Sequence, residues 1–325
     1  MIGKAGGRSA VRMIVARWAT AALLAMLTLA YGQAADSVRG ILFSESFDDG
    51  NLLQRGWYDG SKFTIAEKDP YAGRGSIEYG WIEKGGRQVV SSAVRRLFTP
   101  TGTVYLRFYI RLSPGWGWSG QNYHPHLANF LTTENDPYRG PAASHLTLYV
   151  EPVAGKLRLG TQDIQNKDAP HGLTQGPLRG GYNGQAFDSA DKLFNDDKWH
   201  CVEAMFKLNT VDAAKGTWKA DGIVRGWFDG RLVVDRTDVV LRSADFPNMK
   251  FNQFLLAPYF GVGLVPHAQR LWIDELAVGT ERIGPYQASG QGAQSRATAD
   301  GARMTRVRLR PGAARPPGAT GSPLT

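Results

Sequence analysis

The side chains whose types could do chemistry together are cationic and aromatic. Tyr105, Arg107, Tyr109 and Arg111 form a row with a spacing of two, and Tyr149, Lys156, Arg158, Lys207, Arg225, Arg242 and Tyr259 follow further along the chain. Arginine and lysine can neutralise a carboxylate, which makes the proton beside it acidic enough to remove; losing one such donor costs ~3–4 kcal/mol of transition-state stabilisation. A tyrosine, histidine or lysine with a suitably shifted pKa can then take the proton, and a tyrosine can return one to a leaving oxygen. The same set can hold an acidic sugar without cutting it, by stacking and bidentate contacts. It can also be merely solvated, with Arg and Tyr stacked on one another. Hydrolysis needs a different set, two carboxylates roughly 5–10 Å apart across the sugar. Glu203 is the only strong outward carboxylate of the central strands, and no E-x-D-x-x-E run occurs. Trp116, Trp118, Tyr123, His124 and His126 share a segment that reads as an exposed loop able to line a subsite. His124 and His126 lack a third ligand at the spacing zinc requires.

Short strands are what must position these residues. Between Val38 and Gly284, alternating runs are separated by Gly, Pro, Asn and Asp, and no segment keeps a 3.6-residue apolar period. That pattern predicts an all-β fold, a two-sheet antiparallel jelly-roll sandwich. In Thr103–Leu112, Val104, Leu106, Phe108, Ile110 and Leu112 alternate with the Tyr-Arg row, so the period of two sends one set to the core and the other outward. Strands are also expected over 145–151, 156–160, 199–208, 223–228, 231–235, 251–260 and 270–278, with Asp229-Gly230 as a two-residue hairpin turn. The Gly- and Asp-rich stretch 165–195 reads as loops rimming a groove.

Composition divides the chain into a leader over residues 1–35, a domain over 36–285 and a basic tail over 286–325. Lys4, Arg8, Arg12 and Arg17 precede an apolar run and small residues near Ala34-Ala35, the order of a cleaved export signal. The run is shorter than the ~20 apolar residues a membrane span needs. A secreted or periplasmic protein is therefore expected, without a membrane span once the leader is removed. The tail is rich in Gly, Ala, Pro and Arg and should be disordered. Of the formal net charge of +9, the leader carries +4 and the tail +5, which leaves the domain neutral. The high pI is thus no sign of nucleic-acid binding by the domain. Cys201 is the single cysteine, so no internal disulfide forms, and a monomer stabilised by its core is expected.

Trp199-His200-Cys201-Val202-Glu203, Lys207-Leu208-Asn209-Thr210, Asp221-Gly222 and Trp227-Phe228-Asp229-Gly230 form a series of strand motifs. The series resembles the concanavalin A-like jelly-roll proteins of the polysaccharide lyase type, nearest to the alginate and glucuronan lyases. Phe47-Asp48-Asp49-Gly50, Arg55-Gly56-Trp57-Tyr58 and Trp272-Ile273-Asp274-Glu275-Leu276 fit the first and last strands of such folds, so the resemblance spans most of 41–284. It implies an acidic polysaccharide as partner and β-elimination as reaction, with Lys207, Arg242 and Tyr259 as catalytic residues. Tyr105, Arg107, Tyr109, Arg111, Tyr123, His124, His126, Tyr149, Arg158, Glu203 and Arg225 would bind substrate. A carbohydrate-binding module without catalysis and a glycoside hydrolase of the same fold remain as alternatives. The Q-[IV]-H and R-T-E-like motifs of the commonest alginate lyases are not found, and Val240 stands where a serine would strengthen the match before Arg242. No cofactor is required by this chemistry. A structural calcium ion held by Glu45, Asp48 and Asp274 is the one metal such sandwiches suggest.

Overall fold

The computed structural model describes residues 40–120, 126–132, 146–162, 185–244, 246–260 and 264–287. The expected leader and the tail from 288 onward lie outside them. Strands are numbered in chain order. Sheet 1 runs β15 (Arg231–Val239), β14 (Gly222–Phe228), β11 (His200–Lys207), β6 (Thr103–Leu112), β17 (Gln269–Gly279), β4 (Ser76–Trp81) and β3 (Ile65–Ala66), and β1 (Ile41–Glu45) also pairs with β17. Sheet 2 runs β10 (Ala186–Asp188), β9 (Lys156–Gln162), β8 (Thr147–Val153), β7 (His126–Thr132), β16 (Phe251–Tyr259), β5 (Val94–Thr101) and β2 (Trp57–Tyr58). A small ribbon of β12 (Val211–Asp212) and β13 (Thr217–Trp218) stands apart. This is the antiparallel jelly-roll sandwich that the alternating runs predict.

The core lies between the sheets because the period of two puts one apolar set of each strand there. Val104, Leu106, Phe108 and Ile110 of β6 are buried, as are Val202, Ala204 and Phe206 of β11. Aromatic rings bridge the layers: Phe130 of β7 lies 6.2 Å from Phe206 of sheet 1 and 5.5 Å from Phe254 of sheet 2. Each such ring contributes ~1.5–3 kcal/mol by leaving water. At the hairpin joining β14 to β15, Asp229 and Gly230 have φ of 49° and 80°, the left-handed pair that a two-residue turn requires.

Register places the polar residues of sheet 2. Gly160 lies opposite Tyr149, Tyr149 opposite Asn129, Asn129 opposite Leu255, Leu255 opposite Arg95, and Arg95 opposite Tyr58. These six residues form one row across six strands, perpendicular to the chain direction. Leu148 and Val150 turn into the core, so Tyr149 and its row face outward.

Candidate binding and catalytic face

The outer face of sheet 2 gathers the polar and aromatic residues that could act on a ligand. Asn129 sits between Tyr149 on β8 and Leu255 on β16, and its Oδ1 is buried without a hydrogen-bond partner. His126 begins β7, with its ring centroid 4.6 Å from that of Tyr149 and its Nδ1 2.8 Å from Oε2 of Glu151. The His126 side chain is 0% exposed and that of Glu151 3%, so the pair is sealed from water. Arg158 on β9 makes a bidentate pair with Asp188, at 2.6 Å from Nε and 2.8 Å from Nη2. On the other side of Asn129, Arg95 Nε lies 2.7 Å from Asp59, and Gln253 donates from Nε2 to the Tyr58 hydroxyl at 2.8 Å.

Of the residues expected to bind substrate, the structure therefore brings together His126, Tyr149 and Arg158. His126 corrects its own expectation: it lies not in an exposed loop but in a buried strand position, close to the Glu151 carboxylate. Tyr123 and His124 lie outside the described residues. Asn129, Arg95 and Gln253 were not anticipated, because each owes its place to cross-strand register, while alternation along the strand already put Glu151 on the face of Tyr149. The alternation within Val94-Arg95-Arg96-Leu97, where Arg95 faces out and Arg96 lies 4.6 Å over the Phe43 ring, is the one sequence signal that marks Arg95.

The Tyr-Arg row of β6 is elsewhere. Tyr105, Arg107, Tyr109 and Arg111, with Glu203 and Arg225, lie on the outer face of sheet 1, and covering segments make much of that face a second interior. Tyr71 stacks on Tyr109 at 3.5 Å, and the Tyr286 N–H donates to the Tyr109 hydroxyl at 3.0 Å. The Glu203 carboxylate accepts the N–H of Ile283 at 2.8 Å and of Gly284 at 3.3 Å. Arg107 and Tyr109 are consequently only 5% and 4% exposed, and Glu203 3%. Arg111 lies between the rings of Trp199 and Trp272, at 5.1 and 4.6 Å. Arg225 pairs with Asp235 at 2.7 Å. For Arg107, Tyr109 and Glu203 the position outward from the sheet is not a position outward from the molecule, whereas Tyr105, Arg111 and Arg225 stay part-exposed. Buried beside Tyr109, the Cys201 thiol is pushed up to about 11 by loss of solvation.

Lys207, Arg242 and Tyr259 are not brought to one point. Lys207 ends β11 in sheet 1, exposed, while Tyr259 ends β16 in sheet 2, where its backbone pairs with His126. Arg242 follows β15 and spends its guanidinium on the carbonyls of Asn209, Pro247 and Met249, at 3.2, 2.9 and 2.9 Å. It clamps loops together rather than facing the row on sheet 2.

The three carboxylates expected to hold calcium each accept hydrogen bonds from within the protein. Glu45 is filled by Arg55 Nε and Nη2, Trp57 Nε1 and the Phe47 N–H, all within 3.2 Å. Asp274 Oδ2 accepts the N–H groups of Tyr71 and Ala72, and Asp48 accepts the N–H of Arg74. Among the described residues, no group of three or more His, Cys, Asp or Glu side chains converges as a cation site. Asp274 and its neighbour Glu275 are both buried carboxyl groups. Burial pushes Asp274 up to about 6 against the hydrogen bonds it accepts, and burial together with the Asp274 charge pushes Glu275 up to about 7.

Two large antiparallel sheets, one with a polar, aromatic row across its outer face, define a β-sandwich of the jelly-roll type. The fold is similar to that of the alginate lyase vAL-1 from Chlorella virus, with 14% identity and a TM-score of 0.54 over 74% of this chain and 100% of that one. It is also similar to the PL-14 alginate lyase from Aplysia kurodai, with 11% identity and a TM-score of 0.52 over 75% of this chain and 100% of that one. No protein-family model and no curated protein sequence matches the chain. At such identities the likeness is one of fold. Among the described residues, no helix is long and apolar enough to cross a membrane.

Proposed function

We propose that this protein is exported, binds an acidic polysaccharide across the outer face of sheet 2 and cleaves it by β-elimination. The observation that carries the reading is the convergence of Tyr149, Asn129 and His126, with Arg95 further along the same row, on one face of the sheet. Directly opposed residues on one sheet face stand ~4.5–5.5 Å apart at Cβ, so Asn129 and Tyr149 reach the same sugar. The Asn129 amide donates to the carboxylate of the unit being cut and stabilises the charge that develops there. Tyr149 takes the proton from the carbon beside that carboxylate, and His126, fixed by Glu151, orients its ring. The electron pair of the broken C–H bond becomes the new C=C bond, the C–O bond to the leaving unit breaks, and the leaving oxygen receives the proton that Tyr149 took.

Arg95–Asp59 and Arg158–Asp188 favour a second reading, a binding module, because both cations are already neutralised by carboxylates. Incubation with alginate, polyglucuronate, pectin and heparin-like polymers, followed by the ultraviolet absorbance of the unsaturated product, separates the two. Absorbance rising on one polymer, and lost in Tyr149→Phe, supports elimination. Binding on the same panel without any rise supports the module.

A further inference from the structure

A hollow of about 420 Å³ opens beyond Arg95, lined by Asp59, Arg87, Gln88, Ser91, Ser92 and Leu255. That volume falls in the ~300–1,000 Å³ range of small-ligand sites. Arg95 and Leu255 belong both to this hollow and to the row on sheet 2, so the two are continuous. From Asn129 to Arg95 is two interstrand steps, ~10 Å, too far for both to serve one carboxylate at rest.

The lining is prepared for an anion. Arg95 is committed to Asp59, but Arg87 is exposed and has no carboxylate partner among the described residues. Ser91 and Ser92 accept the N–H groups of Thr64 and Lys62 through their hydroxyl oxygens, at 2.9 and 3.3 Å. A serine hydroxyl that accepts still has its own proton to give, and neither serine gives it to a described residue. Ser91 holds a φ of 58°, a left-handed conformation uncommon outside glycine. Beside Asp59, Gly60 packs tightly on the lining residue Ala93: a Cβ there would meet the Ala93 carbonyl at 2.4 Å. One unpaired guanidinium and two spare hydroxyl donors thus face a space continuous with the candidate site.

We propose that this hollow is a distal subsite for the carboxylate of a uronate unit beyond the one being cut, with Arg87 as its cation and Ser91 and Ser92 as auxiliary donors. This rests on the reading of the sheet 2 face given above. The subsite makes the protein select for polymer length and for charge away from the reacting unit.

The test is calorimetric titration of the full chain with a dimer-to-hexamer series of oligouronates and with a carboxyl-reduced hexamer, for the unmodified protein, Arg87→Ala and Arg87→Lys. Arg87→Ala should weaken the acidic hexamer by about tenfold, the worth of a charge-assisted contact, and leave the dimer and the carboxyl-reduced hexamer as they were. Arg87→Lys should recover part of the loss. Unchanged hexamer affinity in Arg87→Ala, or an equal loss for dimer and hexamer, overturns the subsite while the main face stands. If the unmodified protein binds none of the oligouronates, the reading of that face falls, and the subsite with it.

Discussion

Nδ1 of His126 lies 2.8 Å from Oε2 of Glu151, and both side chains are closed off from water at the first residue of β7 and the middle of β8. Two groups so placed must be partnered, since removing one member of a buried pair costs ~3–5 kcal/mol. Glu151→Ala should therefore lower the melting temperature clearly. Glu151→Gln keeps the volume and a hydrogen-bonding group, and should melt close to the parent while turning over polymer at least tenfold more slowly. Thermal denaturation and product absorbance on the same samples check both; equal turnover in Glu151→Gln would remove His126 orientation from the mechanism.

Asn129 carries the opposite balance. Its Oδ1 is buried and unpartnered, and an unsatisfied buried acceptor costs ~1–3 kcal/mol. Asn129→Leu should hold or raise the melting temperature while cutting turnover by ~100-fold or more, as loss of one transition-state donor does. A site kept at the expense of stability is the pattern expected of function. A melting point that drops sharply in Asn129→Leu would instead mark the amide as structural.

Lys207 and Arg242 should separate cleanly. Lys207→Ala removes an exposed side chain at the end of sheet 1 and should leave both turnover and stability within error. Arg242→Ala removes three donors to loop carbonyls and should cost ~2–3 kcal/mol. Urea titration measures it, and turnover per folded molecule should not change.

Asp274 and Glu275 set a pH dependence. Their folded-state values are raised, to about 6 and about 7, so the folded chain binds more protons than the unfolded chain between those values and the ordinary carboxylate range. Stability from these two groups is therefore greatest at the acid end and falls as pH rises through about 6 to 7. Melting curves between pH ~5 and ~8 should shift downward with rising pH, and Glu275→Gln should flatten the slope and raise the melting temperature at the alkaline end. A slope unchanged in Glu275→Gln would assign the dependence to other groups.

The strands were legible because each carries its own alternation: the run over Thr103–Leu112 defines β6 without reference to any neighbour, and Asp229-Gly230 marks its hairpin by turn chemistry alone. The site was legible only in part. Tyr149 and Arg158 could be read as outward residues of two strands, but Asn129 and Arg95 become neighbours of Leu255 through pairings between distant strands. The failure at Arg107 and Tyr109 has the same origin, since the residues that cover them, Tyr71 and Tyr286, come from far along the chain. Alternation assigns a side chain to a face of a sheet; whether that face meets water depends on contacts no local pattern encodes.

The last strand, β17, pairs with β6, β4 and β1, and β1 is the first strand of the domain. Ile41 meets Gly279 across almost the entire length of the folded chain. Sheet 1 thus keeps a gap at its middle until the C-terminal residues arrive, and the two flanking halves present unpaired strand edges until then. Contacts of such long separation make for slow folding. A nascent chain stopped short of Gln269 should remain open and prone to association, since β17 closes sheet 1 between β6, β4 and β1.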